Sequence, residues 1–472
     1  MSKPVVVIGG GLGGLSTAAL LARAGHQVTV LEGQDWLGGK SRRIEVAGQR
    51  IDTGPSLVTF PAVLEQIFDT YDQWGTGTAT AREIAGIKLE RLPEVGRYYF
   101  KDQQANIPVE AGHPWHEAWA RFEKEHGNLG EAITNLLTRD PLSPGILSAV
   151  GSLLARYGTT LTTQSFLDSL DWMPKDVKDV IAIHTLNAGV APNQTLALFA
   201  SMAAVMSTDG VWVPHGGVYE IAKGLTALAR HAGVDLHTSE SVVSVKKGEV
   251  TTTQGTYPAD YVVSAVDGGI LEGLLGQKTP KPPTRLSCSG VAIFGVLDEE
   301  LPDDVVTHSV MMPDRPADLF EALGKRVVPD QTMAFLNYYR AHTVYPNDKP
   351  VAALLLTAPP NGMSASMDDE FVQSESRRFS DMLGLDRSIT ERMTDYTILD
   401  PSYFSGFGAI GGALYGAPAP WWRSGPFHTP AYNSPSRPWL WRVGSSVHPG
   451  GGIPAVLGGV LIATRRMVST LR

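Results

Sequence analysis

The chain has 472 residues, which at roughly 150 per domain suggests about three units or two intertwined ones. At 43% hydrophobic and 18% charged it holds enough apolar side chain for a large core, which excludes wholesale disorder. Its 39 Lys and Arg against 48 Asp and Glu leave a charge of −9, so no basic excess exists to displace phosphate counterions and no nucleic-acid partner is expected.

The single cysteine, Cys288, excludes an intrachain disulfide and a multi-cysteine metal site. His184, His308 and His342 show no metal spacing, and no metal site is expected. The N-terminus runs straight into Pro4-Val5-Val6-Val7-Ile8, without the basic region and small-residue cleavage site of a leader. The most apolar windows, such as 195–206, fall short of the roughly 20 residues of a spanning helix.

Residues 4–32 read as one βαβ unit. The apolar run at 4–8 has the pattern of a parallel strand covered on both faces. Gly9-Gly10-Gly11-Leu12-Gly13-Gly14 follows, then a helix ended by Gly25, a second strand, and Glu32 at its carboxyl end. In the middle, Trp115, Trp119 and Phe122 form a helical stripe. The stripe from Ile146 to Tyr157, with Arg139 and Arg156 beside it, reads equally as a helix in a lipid interface or as a core helix. Residues 217–232 predict a helix ended by Gly233, followed by strands at 241–246, 250–253 and 259–266. Strand-like runs at 291–297 and 351–357 lie among Pro-rich loops. A last strand at 439–443 leads through a Gly-rich loop into a closing helix from about Ile453.

This pattern predicts an α/β chain. A dinucleotide-binding domain is assembled from 1–110, 210–275 and 431–472, and a second domain is inserted as a helical piece, 111–209, and a sheet-plus-helix piece, 276–430.

Gly9-x-Gly11-x-x-Gly14 follows a strand and opens a helix, the context in which a tight turn lets backbone approach a pyrophosphate. Glu32 lies where a carboxylate can accept from both ribose hydroxyls, which favours FAD or NAD over NADP. Gly38-Gly39-Lys40 offers a second small-residue turn for ribityl or phosphate, and Asp52-Thr53-Gly54-Pro55-Ser56 follows a short strand. At the far end, Gly444-Ser445-Ser446-Val447-His448-Pro449-Gly450-Gly451-Gly452-Ile453-Pro454 runs into a helix whose first turn accepts Pro454 without loss. The positive end of that helix would face a flavin edge that becomes anionic on reduction.

Together with Gly210-Val211-Trp212-Val213-Pro214-His215-Gly216-Gly217, these motifs resemble the bacterial phytoene-desaturase type of carotenoid desaturase, within the amine-oxidase-like flavoproteins. Lys40 stands where many relatives have Arg, and Val447 where Thr commonly precedes His-Pro-Gly. The resemblance implies a Rossmann-like FAD-binding domain with an inserted α+β substrate domain. It implies non-covalent, extended FAD held by Gly9, Gly11, Leu12, Gly13, Gly14, Glu32, Gly38, Gly39, Lys40, Gly54, Pro55, Ser56, Gly444, Ser445, Gly452, Ile453 and Pro454. It places the Val243 backbone on adenine, where composition alone gives a core valine. It also implies a long polyene substrate and peripheral attachment at the cytoplasmic face of the cell membrane.

Desaturation takes a hydride to flavin N5 and a proton from the neighbouring carbon, with electrons leaving to a quinone or O₂. The allylic cation is delocalised, so no strong protein base is demanded. His448 is a candidate proton acceptor or, equally, a loop histidine fixed by backbone hydrogen bonds, and Asp52 reads as structural at an Asp turn. The expected reaction is carotenoid desaturation, leaning to 3,4-desaturation of a 1-hydroxylated or monocyclic carotenoid. Phytoene desaturation, another oxidase, oxygenase or saturase of the same fold, and a non-catalytic isoprenoid carrier are the alternatives.

Overall fold

The structure is a computed structural model that describes residues 3–141, 143–144, 146–277, 283, 285–418 and 432–471. The expected division at 430/431 lies outside the described residues.

The first strand, Pro4–Ile8, is buried from Val5 onward and is flanked in parallel by Gln27–Leu31 and Tyr261–Ser264. Val6 sits opposite Thr29 on one side and Val262 on the other. Asp235–His237 extends the sheet beyond the second strand. Arg437–Arg442 extends it in parallel beyond Tyr261–Ser264, and the short antiparallel Asn433–Ser434 lies at that edge. Alternation along the first strand divides its side chains between two layers. Val5 and Val7 pack with Leu15, Ala18 and Leu461, whereas Val6 and Ile8 pack with Val245, Val250 and Ala259 of a small three-stranded sheet. Two-sided burial is why this strand carries no polar residue after Pro4.

Helices Leu12–Arg23, Tyr219–His231 and Ile453–Thr470 contribute to the first of these layers. The first two end alike. Gly25 adopts φ 95° and donates to Ala22 O while His26 donates to Leu21 O; Gly233, at φ 82°, donates to Arg230 O while Val234 donates to Ala229 O. The left-handed residue and the paired return bonds stop each helix and turn the chain toward its next strand.

A seven-stranded sheet forms the second layer system, in the order Met393–Leu399, Ser289–Leu297, Val351–Ala358, Ala334–Tyr339, His308–Met311, Gly96–Phe100, Gln103–Ile107. All neighbours are antiparallel except His308–Met311 with Gly96–Phe100. The hairpin at 96–107 thus belongs to this sheet, although the sequence reading ran the first cofactor-domain segment to 110. There both faces of its consecutive aromatics are covered. Tyr98 and Phe100 enter the cluster containing Trp119 and Phe122, while Tyr99 points to the other face against Phe379. A strand with aromatics on both faces needs cover on both.

The aromatic stripe at Trp115, Trp119 and Phe122 caps and lines helix His116–His126 and is buried. Helix Ile146–Tyr157 buries Ile146, Ala149, Leu153 and Tyr157, which supports the core reading for that face, and leaves Leu154 57% exposed. Beneath it Ser201 Oγ meets His126 Nδ1 at 2.6 Å and the Tyr157 hydroxyl at 2.5 Å. A second buried histidine, His184, pairs through Nε2 with the Tyr98 hydroxyl at 3.0 Å.

Burial, reinforced by Arg156, holds His126 down at about 4, and burial with His308 nearby does the same for His184. Unfolded histidine protonates near 6.5. As pH falls below that value the unfolded chain takes up protons that the folded one refuses until about 4, so stability is lost across this window. The unfolding free energy from urea titrations is therefore expected to fall between pH 7 and pH 5, by on the order of 1–2 kcal/mol for each histidine. A flat profile over that range would contradict neutral burial of these two rings.

Candidate functional site

The site begins with backbone packed on backbone. Gly9, at φ 99°, donates to Leu31 O at 2.9 Å, and a Cβ on Gly14 would overlap the Gly9 carbonyl oxygen. Glycine at 14 thus lets helix Leu12–Arg23 start directly against the turn. Gly11 is its N-cap without a side-chain cap, and no acidic residue stands in the first turn. The helix therefore presents free first-turn N–H groups and a positive end at the fingerprint loop.

Glu32 closes this loop from the second strand. Its Oε2 accepts from Gly10 N at 2.7 Å and its Oε1 from Gln34 N at 2.9 Å. The carboxylate is thereby oriented, and each oxygen keeps lone-pair capacity for a hydroxyl donor.

The second glycine turn lies on the first. Gly38 N donates to Gly10 O at 2.8 Å, Gly11 bridges to Gly38, and a Cβ on Gly39 would come within 3.0 Å of Gly11 Cα. The Gly54 turn abuts the same segment, where a Cβ would stand 2.7 Å from Ser41 Cα; Pro55 is exposed and Ser56 half-buried beside it. Lys40 is tied through Nζ to Leu414 O at 2.7 Å. Burial lowers its ammonium from the usual range, against a raising influence of Asp267.

The C-terminal loop meets the N-terminal one. A Cβ on Gly13 would lie 3.2 Å from Val456 Cγ1 and 3.4 Å from Gly444 Cα. Ser445 is exposed at this junction, and Gly452, at φ 91°, caps helix Ile453–Thr470 without a side-chain bond and with Pro454 in the first turn. Ile453 is buried behind it. Gly9, Gly11, Leu12, Gly13, Gly14, Gly38, Gly39, Gly444 and the start of the closing helix thus gather around two helix N-termini. An elongated anionic cofactor fits this backbone-lined cradle, whose close backbone contacts added Cβ atoms would force apart.

Two residues depart from their expected settings. Val243 is no core valine: it is 52% exposed at a register shift between Val242 and Ser244, where a bulge leaves the residue outside the ladder pairing. Asp52 closes no Asp turn. It ends strand Gln49–Asp52, and its carboxylate pairs with Arg43 Nε at 2.7 Å and accepts from Tyr219 N at 2.9 Å. His448 is buried, and its carbonyl accepts from the Tyr432 hydroxyl at 2.9 Å.

Arg43 and Glu220 were not singled out from sequence. Arg43 Nη1 lies 2.8 Å from Glu220 Oε1, and its Nη2 donates to Gly216 O. Burial raises the Asp52 carboxyl, opposed by Arg43; the carboxylates of Asp52 and Glu220 raise Arg43 against the pull of burial. The hairpin register places Arg43 opposite Asp52, a cross-strand pair of opposite charge that alternation could have revealed.

A family model described as flavin containing amine oxidoreductase matches residues 12–291. The hydroxyneurosporene desaturase of Cereibacter sphaeroides is 26% identical, with 96% of this chain and 95% of that protein covered. The phytoene desaturase of Cercospora nicotianae is 25% identical, over 70% of this chain and 57% of that protein. A solved putrescine oxidase variant shares the fold, with a TM-score of 0.63 at 15% identity, covering 100% of this chain and 98% of its own.

Replacing Glu32 with Ala removes the orienting carboxylate from the loop. Flavin affinity is expected to drop about tenfold or more, read as the ratio of flavin to protein absorbance after gel filtration. Full retention would remove Glu32 from the ribose role.

Proposed function

The chain belongs to the flavin-containing amine oxidoreductase family, and from that premise we propose that it is a carotenoid desaturase, acting by 3,4-desaturation of a 1-hydroxylated or monocyclic carotenoid. The enzyme is an FAD-dependent oxidoreductase. The observation that carries the finer reading is the extent of likeness: the match to the hydroxyneurosporene desaturase runs nearly end to end, whereas that to the phytoene desaturase stops at 70% of the chain.

Bound FAD supplies the two-electron acceptor for hydride removal from the substrate. The chain's own part is binding and orientation. First-turn N–H groups after Gly11 take the pyrophosphate, and the Glu32 carboxylate accepts from ribose. The bulged Val243 offers backbone to adenine, and the start of helix Ile453–Thr470 holds the ring edge in a positive field. The carotenoid loses its proton from the carbon next to a delocalised allylic cation. Positioning of the reacting carbons therefore supplies more of the catalysis than a strong base would. His448, fixed through its carbonyl, serves the loop.

A polyene dissolves in lipid, so the substrate is taken from the inner face of the cell membrane and the electrons pass on to a quinone or O₂. Among the described residues no helix is long and apolar enough to cross a membrane, which fits access from one face.

The test is incubation of the flavin-loaded protein with a 1-hydroxylated carotenoid or phytoene in liposomes. The polyene absorption band is expected to move to longer wavelength, and faster for the hydroxylated substrate. A band that moves to shorter wavelength would make the protein a saturase, and flavin-loaded protein that leaves every carotenoid unchanged would overturn the reading.

A further inference from the structure

Away from the glycine loops, a cavity of about 470 Å³ opens between Gln66, the C-terminal end of helix Gly130–Thr138, Ser143 and the later turns of helix Ile453–Thr470. Arg465 lies thirteen residues along that helix from Gly452, a rise of about 20 Å at 1.5 Å per residue. The cavity is thus separate from the cofactor cradle.

Two guanidinium groups, Arg139 and Arg465, line it. Arg139 Nε donates to Asn135 Oδ1 at 2.9 Å, and Arg465 Nη1 donates to Thr138 O at 3.1 Å. Among the described residues neither is ion-paired with a carboxylate. The one acidic group in the lining, Asp140, is held by Arg466 through Nε at 2.6 Å and Nη2 at 2.7 Å. Desolvation and the like charge of Arg139 lower Arg465 below its usual range. Among the described residues, two exposed cations thus share one concavity with no carboxylate paired to either, an arrangement that an incoming anion stabilises.

The remaining donors suit a particular anion. Arg139 and Arg465 each retain guanidinium N–H groups beyond those already used, and the Asn135 amide keeps its NH₂ because its oxygen is taken by Arg139. The Gln66 amide faces the same space. Several planar forks and amide donors around one volume match the tetrahedral oxygens of a phosphate. We propose that this cavity binds a phosphate group, presented by a lipid headgroup or by free phosphate.

A local site is required, because a chain carrying −9 is repelled as a whole from an anionic surface. Ser143 also links the cavity to helix Ile146–Tyr157: its N–H donates to Asp140 O, and its carbonyl accepts from Ile146 N. A headgroup held here would sit beside the helix that exposes Leu154. The site does not depend on which carotenoid, or any carotenoid, is the substrate.

The experiment compares the flavin-loaded full chain with Arg139→Gln and with Arg139→Gln/Arg465→Gln, and uses Arg315→Gln, a remote exposed cation, as control. Inorganic phosphate is titrated calorimetrically. Flotation is measured with vesicles of phosphatidylcholine alone and of phosphatidylcholine with phosphatidylglycerol. Binding of inorganic phosphate identifies a free-phosphate site; flotation with the anionic vesicles without it identifies a headgroup site. In either case each arginine removed is expected to weaken binding about fivefold, while Arg315→Gln binds as the parent does. Retained flavin absorbance shows that the variants fold, and Arg139→Gln, which loses only the bond to Asn135, remains informative where the double variant does not fold. The proposal is overturned if the parent binds neither probe, or if Arg139→Gln and the double variant bind as tightly as the parent.

Discussion

Backbone can approach backbone closely only where no Cβ intervenes, and this chain uses that freedom three times at one place. Gly14 lets the first helix begin on the Gly9 carbonyl, Gly39 lets the second turn lie on Gly11, and Gly13 faces Gly444 from the opposite end of the chain. The consequence is chemical as well as steric. Side chains would screen the two helix N-termini, whereas here Gly11 and Gly452 cap their helices without side-chain bonds, leaving the first-turn N–H groups for a ligand. We propose that one long anionic cofactor satisfies both sets of donors at once, which suits the flavin of the family.

The cradle also has to be held against the rest of the molecule. Arg43, Asp52 and Glu220 do this with little exposure: one guanidinium joins the hairpin at 43–52 to the start of helix Tyr219–His231, and the Tyr345 hydroxyl meets the Asp52 N–H from the second layer system. Breaking such a pair leaves a buried charge without its partner, which costs far more than the pair itself contributes. The clamp thus fixes where the Gly54 turn stands relative to the loops it borders, and it explains why Asp52 serves structure without being a base.

Much of the cofactor half was legible because its signals are local. A five-residue apolar run, a glycine spacing and an acid at a strand end occur within 32 residues, and the Gly25 and Gly233 helix stops rest on single left-handed residues. The second sheet was far less legible. Gly96–Phe100 finds its partner at His308–Met311, some two hundred residues on, and nothing local in Gly-Arg-Tyr-Tyr-Phe says which sheet it joins. Composition alone misplaced Val243 in the core for a related reason, since a bulge alters which way a strand residue faces without altering composition. The Arg139 and Arg465 pair was invisible for a third reason: each looks like an ordinary exposed arginine until tertiary packing brings them into one cavity.

The convergence of the two termini on one cofactor is the claim from which the rest follows, and a crystal structure of the flavin-loaded protein tests it most directly. The account predicts FAD density lying extended, with pyrophosphate at the N–H groups after Gly11 and the ring edge at the start of helix Ile453–Thr470. Density for the flavin ring elsewhere, or a Gly13–Gly444 junction that excludes the cofactor, would contradict it.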